Sequence, residues 1–259
     1  MTKLSRIITA IVTGAALILG LAGCNQSQSI ELNISAAASM TDALTEINQI
    51  YQDANPGVKI LPNFASSGTL QTQIEQGALV DVFISAASKQ MNTLESKGLI
   101  IEDTRRDLLN NRVVLIVPSD STLQLNDFSD LSKDAIQKIA MGDPEFVPAG
   151  TYGKNALVLL GMYEQIQSKL ILGSDVRQVL SYVENGNVDA GIVYSTDAAI
   201  SDRVKIAADG PDEINSNIVY PVAIIKSTKH VEAAHEYIDF LFSTEAKAVF
   251  EKYGFAVLG

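Results

Sequence analysis

Apolar and polar positions alternate along this chain in two rhythms: short, β-branched runs, and longer stretches with an apolar residue every three or four positions. Residues 32–37 read as a strand, and residues 41–53 as a helix with Ala43, Leu44, Ile47 and Ile50 along one face. Residues 58–64 form the next predicted strand, followed by a short helix over 69–76 that Gly77 stops. A third strand over 80–85 leads to a helix over 89–97 closed by Gly98. This β-α-β-α-β-α order predicts an α/β fold with a mainly parallel sheet covered by helices.

Two later runs, residues 112–118 and 218–225, are almost continuously apolar, the pattern of strands buried on both faces. Between them the spacing predicts helices over 131–139, 155–163 and 176–185 and a strand over 190–194, enough for a second α/β lobe. Helices over 231–242 and 244–252 finish the chain. The expected organisation is two lobes, residues 31–113 with 222–259 and residues 114–221. Two crossings near 113–117 and 220–225 join them, and the C-terminal helices return to the first lobe.

The first residues form a separate object. Lys3 and Arg6 precede an uncharged run from Ile7 to Gly23 that ends in Leu21-Ala22-Gly23-Cys24. A basic start, an apolar middle and small residues before a cut describe an export signal over 1–23. The sole cysteine sits directly after Leu-Ala-Gly, which resembles the bacterial lipobox, so Cys24 is expected to be lipidated and to become the N-terminus. Residues 24–30, polar and turn-rich, would then be a tether. No later stretch reaches 18 apolar residues, so the body is expected to be anchored outside the cytoplasmic membrane without spanning it.

Composition narrows the chemistry. With 47% hydrophobic and 19% charged residues among 259, the chain can build a core. Its formal charge of −11 opposes nucleic acid and anionic lipid, whose binding needs clustered cations. One cysteine excludes an internal disulfide framework or a thiolate metal site, and two histidines leave little for histidine-based metal binding. His230 and His235, five apart in a charged stretch, have no Gly-x-Ser-x-Gly partner for serine hydrolysis and read as surface residues. Asp143 and Glu145 flank Pro144 and read as turn formers. No Gly-rich loop followed by Lys-Ser/Thr is present to cradle a nucleotide phosphate.

The informative residues are small or hydroxyl-bearing and stand at strand-to-helix transitions: Ser39, Ser66-Ser67-Gly68, Pro148-Ala149-Gly150-Thr151 and Ser174-Asp175-Val176. Each offers unpaired backbone N–H groups and a positive dipole end, which suit an anion with no lysine or arginine. Singly, each also reads as an ordinary N-cap. Four of them converging on one cleft would be more than capping.

The blocks Ala36-Ala37-Ala38-Ser39, Asn63-Phe64-Ala65-Ser66-Ser67-Gly68-Thr69-Leu70 and Asp81-Val82-Phe83-Ile84-Ser85-Ala86 resemble the periplasmic molybdate-binding protein family. So do Gly142-Asp143-Pro144-Glu145-Phe146-Val147-Pro148-Ala149-Gly150, Asp175-Val176-Arg177, Gly191-Ile192-Val193-Tyr194 and Lys252-Tyr253-Gly254-Phe255, in the same order from about Leu32 to the C-terminus. The resemblance implies a two-lobed periplasmic-binding-protein fold, type II-like. It also implies a tetrahedral dianion, molybdate or tungstate, held by neutral donors between the lobes, so that molybdenum enters only as the oxyanion. Carried over by position, Ser39 and Ser67 would each give hydroxyl and N–H, Ala149 and Val176 backbone N–H, and Tyr194 its phenol. Ser67 is chosen over Ser66 because it matches the middle of the family's small-residue triplet, and Gly68 departs from the serine often found there. Read without the family, Tyr194 is a core aromatic at a strand end. The implied role is the substrate-binding subunit of an ABC importer: no enzyme, no cofactor, a monomer whose partners are the oxyanion and a membrane permease. Receptors for sulfate or another oxyanion, and an extracytoplasmic ester hydrolase, are the alternatives.

Overall fold

The computed structural model describes residues 29–258, so the leader, Cys24 and all but the end of the tether lie outside the described residues. The chain runs β1 (Ile30–Ala37), a 3-10 turn, α1 (Thr41–Ala54), β2 (Val58–Ala65), α2 (Ser67–Glu75), β3 (Val82–Ile84), α3 (Ser88–Ser96) and β4 (Arg106–Asn110). It continues through β5 (Val113–Pro118), β6 (Ile139–Gly142), α4 (Pro148–Leu159), α5 (Tyr163–Ile166), β7 (Leu170–Gly173), α6 (Val176–Glu184), β8 (Ala190–Tyr194), α7 (Ser195–Ala199) and β9 (Val204–Asp209). It ends with α8 (Asp212–Asn215), β10 (Val219–Ile224), α9 (Val231–Leu241), α10 (Thr244–Lys252) and β11 (Ala256–Val257).

These strands form two mixed sheets, ordered β11-β4-β10-β3-β1-β2 and β7-β6-β8-β5-β9, each flanked by helices in an α/β two-lobe fold. β1 runs parallel to both β2 and β3, with Ala36 opposite Phe64 and Ile84, so the three strands end together. In the second sheet β6 runs parallel to β7 and β8. The two apolar runs are inner strands: β5 lies between β8 and β9, and β10 between β3 and β4. Burial on both faces is what their composition demands. The backbone passes between the sheets just ahead of each run, at Asn111-Arg112 and over Gly210–Ile218. α10 packs on α1, and β11 pairs with β4, so the C-terminus returns to the first sheet.

Two predicted helices differ. Leu131, Ile136 and Ile139 are fully buried, yet residues 131–139 are no helix: a 3-10 turn over Phe128–Ser132 is followed by irregular chain and then β6. Side chains take the amides a helix would have used. Asp127 Oδ1 accepts from Ser129 N (2.7 Å), and Asp189 Oδ2 from Gln137 N (2.7 Å) and Lys138 N (2.9 Å). The helix predicted over 155–163 starts earlier, at Pro148, whose missing N–H and fixed φ suit the first helical position, and it ends before Gly161 at φ +67°. Strands β4, β6, β7, β9 and β11 have no counterpart among the predicted strands. Among the described residues no helix is long and apolar enough to cross a membrane.

Candidate functional site

The carboxyl ends of the parallel strands of both sheets face one another, the place where open α/β sheets collect ligand-binding loops. Ala37 ends β1 and Ala38 and Ser39 follow it, Ala65 ends β2 and Ser66 and Ser67 follow it, and Ala86 lies beyond β3. From the other sheet come Val147, Pro148 and Ala149 after β6, Val176 after β7, and Tyr194 at the end of β8. These twelve residues line one cavity, which includes all five predicted ligand residues: Ser39, Ser67, Ala149, Val176 and Tyr194. Its free volume is about 10 Å³ on the scale where one water needs about 10–15 Å³. That is barely the room one water takes, so the lobes stand close together around this cavity.

No charged side chain lines this cavity, and its walls are alanine, valine and proline apart from three serines and one tyrosine. The polarity comes from helix starts. Ser67 is the first residue of α2, Ala149 the second of α4 and Val176 the first of α6, positions whose N–H groups have no partner within the helix. Glycine makes one of these starts possible. A Cβ on Gly150 would lie 1.9 Å from the Gly142 carbonyl oxygen, so only glycine lets the first turn of α4 settle on the end of β6.

The two neighbouring serines do different work. Ser66 is the N-cap of α2: its hydroxyl accepts from Thr69 N (3.3 Å) and donates to Thr69 Oγ1 (2.8 Å). Ser67 Oγ accepts the Ala86 N–H at 2.9 Å and keeps its own proton for another partner. Tyr194 Oη, from the opposite sheet, donates to the Ala86 carbonyl at 3.3 Å. Burial pushes the Tyr194 phenol well above its ordinary pKa, reinforced by Tyr220, Tyr152 and Asp197 nearby, so it stays protonated at physiological pH, and its one proton would have to turn from the Ala86 carbonyl to reach an anion.

Arg177, next to Val176, is committed elsewhere. Its guanidinium donates to the Ser39 carbonyl (3.1 Å) and pairs with Asp42 (2.7 Å) on α1 and with buried Asp197 (2.8 Å) in α7. Two carboxylates flank this one cation, so it supplies no free countercharge while tying α6 to the other lobe. Burial pushes the Asp197 carboxyl up to about 6 in spite of Arg177.

His230 caps α9 and lines surface hollows beside Asn33 and Asp81, at the amino ends of β1 and β3 and so away from the cavity. Asp143 fixes a turn, as expected: its Oδ1 accepts from Glu145 N (3.0 Å). No group of three or more metal-ligating side chains occurs among the described residues.

The five residues named by the resemblance thus share one cavity between the two lobes. The family of bacterial extracellular solute-binding proteins matches residues 32–256. The chain belongs to that family. Among relatives of this solute-binding protein, one from Bacillus subtilis, named for a role as ABC transporter substrate-binding lipoprotein, is 45% identical over 98% of this chain and 99% of its own. The molybdate-binding protein ModA of Haemophilus influenzae is 38% identical over 99% of both chains. A solved substrate-binding domain of a molybdenum ABC transporter from Clostridium difficile is 41% identical, with a TM-score of 0.69 over 89% of this chain and 100% of that one. The protein is thus an extracellular solute-binding protein, a family that works outside the cytoplasmic membrane.

The residues that sequence reasoning passed over lie one step back from the cavity. Tyr220 was hidden in an apolar run, although its hydroxyl is the one polar side-chain group between Ile218 and Ile225. Asn111 and Asp197 carried no motif of their own, and Arg177 stood in the Asp175-Val176-Arg177 block without a role.

Proposed function

We propose that this protein captures molybdate, with tungstate as an equivalent ligand, and delivers it to a membrane permease while anchored through lipidated Cys24. The observation that carries the reading is the single small cavity whose polar lining is entirely neutral, with hydroxyls at Ser39, Ser67 and Tyr194 and free helix-start amides at Ala149 and Val176. Preorganised N–H and O–H dipoles solvate a buried oxyanion well without a buried cation. The relatives named for molybdate support the choice of anion.

The lobes would hinge at the two crossings, Asn111-Arg112 and residues 210–218. Only with the lobes together do donors from both sheets reach one ion, so the ligand favours that arrangement. Binding without chemistry fits the lining: no histidine, carboxylate or lysine stands in the cavity to act as a general base.

The test is a thermal-shift panel of molybdate, tungstate, sulfate, phosphate and simple carboxylates. Molybdate and tungstate should raise the melting temperature progressively with concentration, by about 2.7 kcal/mol of stability at a hundredfold over Kd. The ligand should be recovered unchanged. No shift with either anion would overturn the assignment.

A further inference from the structure

Behind Ser39 lies a chain of buried polar groups. Asn111, in the first crossing between the sheets, accepts the Arg112 backbone N–H on Oδ1 at 2.8 Å. A backbone N–H can only donate, which fixes the orientation of the amide. Asn111 Nδ2 must then be the atom that faces Thr196 Oγ1 (2.9 Å) and Tyr220 Oη (3.1 Å), and it donates to both. Tyr220 Oη therefore spends a lone pair on Asn111. Its other partner in hydrogen-bond geometry is Ser39 Oγ, at 3.0 Å, the Tyr194 phenol beside it giving its own proton to the Ala86 carbonyl. Tyr220 is fully buried, between the rings of Tyr194 (5.7 Å) and Phe255 (5.6 Å), so its proton has no water to go to. A buried hydroxyl proton left unpaired is costly, so it must lie on Ser39 Oγ.

The polarity of the chain is thereby set from end to end: Arg112 N–H to Asn111, Asn111 to Tyr220, Tyr220 to Ser39. Ser39 accepts at its inner side, and its own proton is left to point into the cavity it lines. We infer that Asn111 and Tyr220 are positioning residues that lock the Ser39 hydroxyl as a donor, making the site select anions that bring no proton of their own. The inference rests on the oxyanion-binding reading above and adds to it a mechanism of selection. Hydrogen phosphate carries an O–H that needs an acceptor. A serine free to rotate would supply one, whereas a locked one opposes it. Ser67 is held alike by the Ala86 N–H, so two hydroxyls from the first lobe share this polarity.

The experiment is a double-mutant cycle on the purified protein, titrated calorimetrically with molybdate and, by competition, with phosphate near pH 7. Ser39→Ala, Tyr220→Phe and the double variant are compared with wild type, with melting curves to confirm folding. Tyr220→Phe should weaken molybdate by about tenfold in the wild-type background and by less than about twofold in the Ser39→Ala background, because its effect passes through Ser39. It should also narrow the ratio of molybdate to phosphate affinity, which a loss of packing alone would not do. Asn111→Leu, which removes the donor that sets the polarity, should show the same dependence on Ser39 and serves if Tyr220→Phe does not fold. Equal losses in both backgrounds, or an unchanged anion ratio, would overturn the inference while leaving the binding function standing. A wild-type protein that binds neither anion would overturn both.

Discussion

The backbone N–H of Gly68 donates to the carbonyl of Phe146 at 2.9 Å, joining the first turn of α2 to the loop before α4 across the two lobes. A Cβ at position 68 would stand 2.5 Å from that oxygen and 2.7 Å from Phe146 Cα, both backbone atoms with little room to yield. The glycine therefore lets the backbones of the two lobes approach to hydrogen-bonding distance here. Gly68→Ala should hold them apart and weaken oxyanion binding by about tenfold to a hundredfold. Small-angle scattering should show a larger radius with ligand than wild type has. Wild-type affinity in this variant would show that the contact is dispensable.

Each cavity hydroxyl has its own predicted cost. Ser39→Ala, Ser67→Ala and Tyr194→Phe each remove a bond to a charged oxygen, typically worth about 1.5–3 kcal/mol, so binding should fall about tenfold to a hundredfold or more. Ser66→Ala should leave affinity nearly unchanged and instead cost about 1 kcal/mol of stability, because Ser66 caps α2. Calorimetry and denaturation on the same four variants separate these outcomes. Loss of binding in Ser66→Ala with none in Ser67→Ala would reverse the assignment.

Asp197 gives a pH signature. Its folded-state pKa of about 6 lies above the ordinary 3.8 because burial disfavours the charged form. The folded protein thus binds more protons than the unfolded chain between about pH 4 and pH 6. The stabilisation is complete below that window and is lost as pH rises through it, by up to about 3 kcal/mol for two pKa units. Asp197→Asn removes the titration. The stability difference between variant and wild type should therefore change across this window, and a difference independent of pH would contradict it.

Selectivity should follow size. Molybdate, tungstate and sulfate are all tetrahedral dianions near neutral pH, but the oxygens of sulfate lie closer to its centre. Donors fixed on two lobes and set for the larger ions cannot all reach it, and losing two such bonds costs about 3–6 kcal/mol. Competition titration should find sulfate at least a hundredfold weaker. Displacement of molybdate by equimolar sulfate would instead make this a general oxyanion receptor.

Cys24→Ala should abolish lipid labelling and release the protein from the membrane fraction, since a single uncleaved leader gives no such dependence on the thiol. Fractionation with unchanged membrane attachment would point to an anchor of another kind.

The sequence carried the parallel strands of the first sheet, with β8, further than the connections. β1, β2 and β8 are legible because their apolar residues are continuous or alternate and small residues follow them at the helix starts. β4 begins with Arg106-Asp107 and has only Leu108 and Leu109 buried, and β9 carries exposed Lys205 and Ile206, so neither shows a clean strand pattern. Residues 131–139 mimic a helix because Leu131, Ile136 and Ile139 are buried, while acidic side chains distant in sequence, such as Asp189, take the amides. The five lining residues were found by resemblance. Tyr220, Asn111, Arg177 and Asp197 were not, since they act through partners some 20 to 180 positions away that no local spacing reveals.

Two of the proposed donors, at Ala149 and Val176, are peptide N–H groups, and Gly150 and Gly142 set how closely one of them approaches. Their placement belongs to the path of the backbone, so replacing the side chains at 149 and 176 changes the volume of the cavity without removing either donor. A directed-evolution campaign confined to cavity side chains would therefore reach only the three hydroxyls. Retuning the protein for a smaller anion demands a shift of the first turns of α4 and α6 relative to β6 and β7. Such a shift takes insertions or deletions in the loops rather than point substitutions, which makes this a binding site resistant to gradual drift in specificity.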